Sequence, residues 1–170
     1  MYLKLIGAAL ICVSCGGFGM LMAVSYRNAI KDLRSLVAVA DYMECELNCR
    51  LTPLAPLCRG AAMTCGGTLS ALLLDFATEL EAQIAPEPGQ CMAASLGKHP
   101  MLSGQAVGLL RDLGSCFGKF DLPGQLKELD GIRQRAKDAL SQLEQNKDTR
   151  VRSYQTLGIC AGAALAILLL

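Results

Sequence analysis

Apolar residues are arranged along this chain in two different ways. At either end they run almost unbroken: no charged residue occurs from Leu5 to Tyr26, and none from Ser153 to Leu170. Between the ends they recur at intervals of three and four, the spacing that lines one face of an α-helix. In "RNAIKDLRSLVAVADYMECELNC" the recurring positions are Leu33, Leu36, Val37, Ala40, Met43 and Leu47, with Asp32, Arg34, Asp41 and Glu44 mostly between them. A second stripe runs through Leu69, Leu72, Leu73, Phe76 and Leu80, and a third through Val107, Leu109, Leu110, Leu113 and Phe117. The last is Leu126, Leu129, Ile132, Ala136, Leu140 and Leu143. No stretch alternates with the period of a strand.

Turn and cap chemistry divides these stripes into helices. Thr52 suits an N-cap and Pro53 the first helical position after it. Pro56 still falls in the first turn, where a missing N–H costs little. Gly66 and Gly67 end that short helix, and Thr68 is placed to cap the next. "APEPGQ" reads as a loop, a weak helix follows over Gln90 to Gly97, and "KHP" breaks it. Ser103 caps the helix carrying the third stripe. In "GKFDLPGQ", Gly118 is expected to end that helix in the left-handed conformation, and Asp121 to cap the last one, with Pro123 in its first turn. The expected fold is all-α: a bundle of about six helices whose first and last members continue without a break into the apolar ends.

Those ends are long enough to matter. At about 1.5 Å of rise per residue, the first run crosses a hydrocarbon core of about 30 Å comfortably and the second just reaches. We therefore expect transmembrane helices at 3–26 and 153–170, flanking a helical domain at 27–152. Arg27, Lys31 and Arg34 follow the first span and Lys147, Arg150 and Arg152 precede the second, whereas only Lys4 lies on the far side. That bias places the middle domain in the cytoplasm. A cleaved signal peptide ending near Ala23-Val24-Ser25 is the competing reading, but the apolar run is longer than a usual signal core. A lipoprotein site at Cys15 fits its preceding residues poorly. The middle domain holds all fifteen acids and fifteen of the sixteen bases, so it has no net charge with which to attract nucleic acid.

The candidate chemistry is sparse. "GKFDLPGQ" lacks the spacing and the preceding strand of a phosphate loop, and a helix corner explains each of its residues. His99, the single histidine, reads as an exposed residue near a helix end. Glu44 and Glu46 are two apart and point to different sides of a helix, which does not make a carboxylate pair. No catalytic set, cofactor motif or metal site is expected. Nine cysteines are the exception to this plainness. Cys45, Cys49, Cys58 and Cys65 offer an alternative reading as a membrane-tethered metal-binding or thiol protein, although the paired short spacing of zinc ribbons is absent. Cys12-x-x-Cys15 lies within the first apolar run, without the βαβ surroundings of a redox motif.

Four segments together resemble a known family. "YLKLIGAALI" is similar to the opening of stage III sporulation protein AB of endospore-forming bacteria. "LRSLVAVADYMECELNCRLTPL" resembles its first cytoplasmic segment, matching at Glu44, Glu46, Thr52, Pro53 and Leu54. "LGSCFGKFDLPGQ" resembles its central signature at Leu113, Gly114, Gly118, Asp121 and Gln125, with Phe117 in a leucine place. "SYQTLGICAGAALAILLL" resembles its closing span at Tyr154, Leu157 and Gly158. The chain departs from the family at Cys49 and Arg50, where an aromatic and a glycine are common. It also departs at Met92, near the place of an Ala-Trp pair.

The resemblance implies a mother-cell membrane protein of the channel complex that joins mother cell and forespore. Its cytoplasmic domain would be similar to the platform domain of type II secretion and type IV pilus systems. It would be a non-enzymatic scaffold, facing a cytoplasmic ATPase, stage III sporulation protein AA, and the other membrane subunits. A homo-oligomer is compatible with this. The signature residues would then serve structure or partner contact.

Overall fold

The computed structural model describes the backbone of residues 2–83, 85–119 and 121–169, and side chains at 21–83, 85–117, 121–146 and 156. Among the described residues every regular element is a helix: α1 (Tyr2–Arg50), α2 (Leu54–Thr64), α3 (Gly67–Glu81), α4 (Pro88–Lys98), α5 (Gly104–Lys119) and α6 (Leu122–Leu169). This is the all-α fold of six helices that the periodicity predicts. The expected spans, 3–26 and 153–170, fall largely outside the described side chains. Among the described residues no helix is long and apolar enough to cross a membrane.

The chain forms two compact units. The first comprises residues 1–28 and 143–170. In it Ala23 is buried, and the Tyr26 hydroxyl donates to the Leu143 carbonyl at 2.8 Å. The second unit is residues 29–142 and contains the main core. In it α2 packs on α3, α3 on α4 and α4 on α5. The α1 stripe buries Ile30, Leu33, Leu36, Val39, Ala40, Met43 and Leu47. α6 contributes Leu129, Ile132 and Ala136.

Several side chains sit one position away from expectation. On α5, Ala106 and Cys116 are buried, while Val107 and Phe117 are only half-buried. The sequence reading favoured the larger neighbour, but the 3.6-residue period from Leu110 and Leu113 selects the smaller one. On α3, Glu79 is buried and Leu80 half-buried. Lys98 makes that burial tolerable by donating to the Glu79 Oε1 at 2.8 Å. Val37, Leu126, Leu140 and Leu143 are likewise half-buried rather than central.

The caps divide in the same way. Ser103 caps α5, its Oγ accepting the Ala106 N–H at 3.4 Å. Thr52 does not cap α2: Pro53 occupies the N-cap position, with no side-chain bond, and its carbonyl accepts the Leu57 N–H at 3.0 Å. The Thr52 hydroxyl is taken instead by Glu46, at 3.0 Å. Pro53 keeps Thr52, the residue before it, out of the helical region, so α1 cannot resume after Arg50. Leu51 completes the break with a φ of 51°. Thr68 does not cap α3 either. Gly66 is extended and Gly67 has a φ of +68°, so the helix begins at the glycines and Thr68 lies in its first turn. Gly118 does not end α5, which continues to Lys119.

Candidate partner-contact site

The two interior signature segments are far apart in sequence and meet at one corner of the second unit. α1 ends there, α2 and α6 begin there, and α5 ends there. A cavity of about 200 Å³ marks the junction, lined by Leu47, Thr52, Leu54, Leu57, Phe117 and Gln125. Three of these six, Thr52, Leu54 and Gln125, are signature positions.

Each signature residue at this corner has a visible task. Glu46 accepts the Thr52 hydroxyl and lies 3.9 Å from Arg50, so it ties the end of α1 to the turn that follows. Pro53 starts α2, and Leu54 is its first residue. Asp121 caps α6 as expected: its Oδ1 accepts the Gly124 N–H at 3.2 Å and its carbonyl the Gln125 N–H at 2.8 Å. The Cys116 thiol donates to the Gln125 carbonyl at 3.6 Å, which holds the end of α5 against the start of α6.

Two more signature residues act one layer away. Leu113 is buried, and Gly114 lies under Met92 of α4, whose Cβ leaves no room for a methyl group there. Met92 is fully buried, so the fourth helix packs well despite its departure from the family pattern. Gly118 lies in α5, without a described side-chain environment. Tyr154, Leu157 and Gly158 lie in α6, and their side chains are outside the described ones.

Glu44 leads to a residue that the sequence reading missed. Its Oε2 accepts from Arg133 Nη1 at 2.6 Å, and the same guanidinium reaches Asp41 Oδ1 at 3.3 Å and also Asp130. Arg133 therefore joins α6 to α1 beside the corner. On the opposite flank of α6, Arg135 bonds Asp112 of α5 at 2.8 Å and Glu128 at 3.2 Å. Charged residues of α6 therefore reach α1 and α5 as well as water. His99 is a second correction. It is the C-cap of α4, half-buried, with Nε2 2.8 Å from Asp75 Oδ2 on α3. A short-range reading could not place Asp75 beside it.

The four cysteines of the alternative reading are dispersed. Cys45 and Cys49 are exposed on α1, Cys58 is buried in α2 and Cys65 is half-buried after its end. Burial pushes the Cys58 thiol up to about 12 and the Cys116 thiol up to about 11. Among the described residues no three of His, Cys, Asp and Glu gather where they could hold one metal ion.

The comparisons agree with the geometry. The family model described as "Stage III sporulation protein AB" matches residues 4–170. A solved structure of "Stage III sporulation protein AB" is similar with a TM-score of 0.64 and 21% identity, covering 72% of this chain and 98% of that one. At that identity the likeness shows a common fold. No curated protein matches the chain.

Proposed function

Because the chain belongs to the stage III sporulation protein AB family, we propose that it is a non-enzymatic scaffold of the channel complex between mother cell and forespore. Its two apolar ends are transmembrane helices in this reading, and its middle domain faces the mother-cell cytoplasm. There it meets the sporulation ATPase, stage III sporulation protein AA, and it meets the other channel subunits in the membrane.

The observation that carries the reading is the junction of the two signature segments around the cavity between Thr52 and Gln125. The polar signature groups found there are engaged in capping and in tying helix ends together. A corner built in this way has a fixed shape, which suits recognition by contact. Its groups are held by one another and not aimed at a reacting atom.

The test uses the full-length chain, tagged and purified in mild detergent from sporulating cells. The ATPase and other channel subunits should accompany it. Quantitative recovery without them, from cells in which they are present, would contradict the scaffold. The dispersal of Cys45, Cys49, Cys58 and Cys65 weighs against the four-cysteine metal protein as a rival.

A further inference from the structure

The first unit pairs residues 1–28 with residues 143–170, and α1 and α6 run through it in opposite chain directions. The Tyr26 hydroxyl, 2.8 Å from the Leu143 carbonyl oxygen, fixes which turns face each other. Both helices rise about 1.5 Å per residue, so heights can be counted in step from this bond. Phe18 is then level with Val151, and Gly16 with Ser153, to within a helical turn.

At equal heights the two helices differ in charge. Residues 17–26 of α1 carry none, whereas residues 143–152 of α6 carry Glu144, Lys147, Asp148, Arg150 and Arg152. The two uncharged runs therefore do not end at one height: Tyr26 and Ser153, their limits on this side, are about 15 Å apart along the helices. One bilayer surface cannot follow both. Hydrocarbon reaching Tyr26 would enclose those five charged residues of α6, with Arg152 near the middle of a core about 30 Å thick. Charges are among the costliest groups to hold there. Hydrocarbon stopping at Ser153 leaves out only a short apolar stretch of α1, and exposed apolar residues are common at protein surfaces. The second arrangement costs less.

The stretch left out has an open apolar face. Ala23 is buried, but Leu21, Met22 and Val24 around it are 70%, 42% and 47% exposed, so the chain itself does not cover them. Helical side chains lean toward the N-terminus of their helix, which on α1 is the bilayer side. The headgroups add about 5–7 Å on each side of the hydrocarbon, and Leu21 stands about 6 Å above Gly17. An apolar face at this height, beside a helix that carries Lys147, Arg150 and Arg152, matches the chemistry of a bilayer surface: apolar groups settle at the headgroup boundary, and bases meet lipid phosphates. Starting from the reading that both ends span the membrane, we propose that the hydrocarbon ends on α1 near Gly17 and not at Tyr26, and that Leu21, Met22 and Val24 form a contact surface for the phospholipid headgroup layer.

The chain has no tryptophan, so a single introduced one reports its depth without background. Full-length Leu10→Trp, Phe18→Trp, Leu21→Trp, Val24→Trp and Val151→Trp, each with the helix content of the parent by circular dichroism, are placed in vesicles of phosphatidylcholine and phosphatidylglycerol. Fluorescence is quenched by lipids brominated at different depths of the acyl chain, or by acrylamide in the water. Mid-chain bromine should quench Leu10→Trp strongly, and acrylamide should not reach it. Leu21→Trp and Val24→Trp should be quenched by acrylamide and by the shallowest bromines, and hardly at mid-chain. Phe18→Trp and Val151→Trp should report equal depth. Strong mid-chain quenching of Phe18→Trp and Leu21→Trp would carry the hydrocarbon up to Tyr26 and overturn the proposal, as would unequal depths for Phe18→Trp and Val151→Trp. Leu21→Trp and Val24→Trp shielded from both quenchers would also overturn it, since protein, such as a second copy, would then cover the face. No lipid quenching at Leu10→Trp would reject the spans themselves, and the proposal with them.

Discussion

Arg133 Nη1 lies 2.6 Å from Glu44 Oε2 although the two residues are 89 positions apart. The guanidinium is about a quarter exposed and serves Asp41 and Asp130 as well. Such a group lies between the surface pair, worth under about 1 kcal/mol, and the buried pair, whose breakage costs about 3–5 kcal/mol. We predict that Arg133→Met destabilises the purified protein by about 1–2 kcal/mol in denaturant unfolding. Arg133→Lys should recover only part of this, because a single ammonium cannot reproduce the planar fork. Full recovery by lysine would show that only net charge matters.

Asp121 provides a cleaner test of the corner. Asp121→Ala should cost about 0.5–2 kcal/mol, and Asp121→Asn or Asp121→Ser much less, since each can still accept the Gly124 N–H. Equal losses in all three would point to the carboxylate itself, and so to a partner contact.

Two glycines on α5 should respond with opposite sign. Gly114→Ala forces a methyl group into the Met92 Cβ, and we expect a loss of about 1–3 kcal/mol. Met92→Ala should not rescue it, because alanine keeps that Cβ. A methyl group at Gly108 meets nothing within 4 Å, so Gly108→Ala should stabilise the helix by about 0.5–1 kcal/mol. Thermal melting of the three variants and the double variant decides this.

The buried thiols set an alkaline limit. Cys58 has its thiol raised from 9.0 to about 12 by burial. Below pH 9 the thiol is protonated in both the folded and the unfolded chain, and stability is indifferent to it. Between about 9 and 12 the unfolded chain loses this proton first, so stability falls as pH rises, by up to about 1.4 kcal/mol per unit for one such thiol. Denaturation series from pH 8 to 10.5 should show a shallower decline in Cys58→Ala than in the parent, whatever the absolute loss from the substitution. Equal slopes would mean that the folded chain ionises this thiol as readily as the unfolded one.

The helices were legible because the apolar period is local. Leu33, Leu36, Leu69, Leu72, Leu129 and Ile132 announce their faces by spacing alone, and all are buried. Ser103 and Asp121 were legible as caps for a similar reason: each accepts from a backbone N–H three residues on. Thr52 was misread because its hydroxyl had a competing acceptor, Glu46, six residues back on α1. Arg133, Glu79 and His99 were hidden more deeply. Their partners lie on other helices, and a charge on an amphipathic helix looks the same from the sequence whether it faces water or a neighbouring helix. The signature residues could be quoted, but their meeting around one cavity follows only from the packing of α1, α2, α5 and α6.

The central claim is that this protein acts by contact, as a scaffold held at the membrane. It is tested most directly by making residues 27–152 alone, at the normal level, in cells lacking the full chain, and counting spores. The fragment should be helical and melt cooperatively, since its apolar stripes can bury one another without lipid. It should still fail to restore sporulation, because loss of both ends removes the high local concentration beside its partners. A folded fragment that restores sporulation in full would contradict the anchored scaffold.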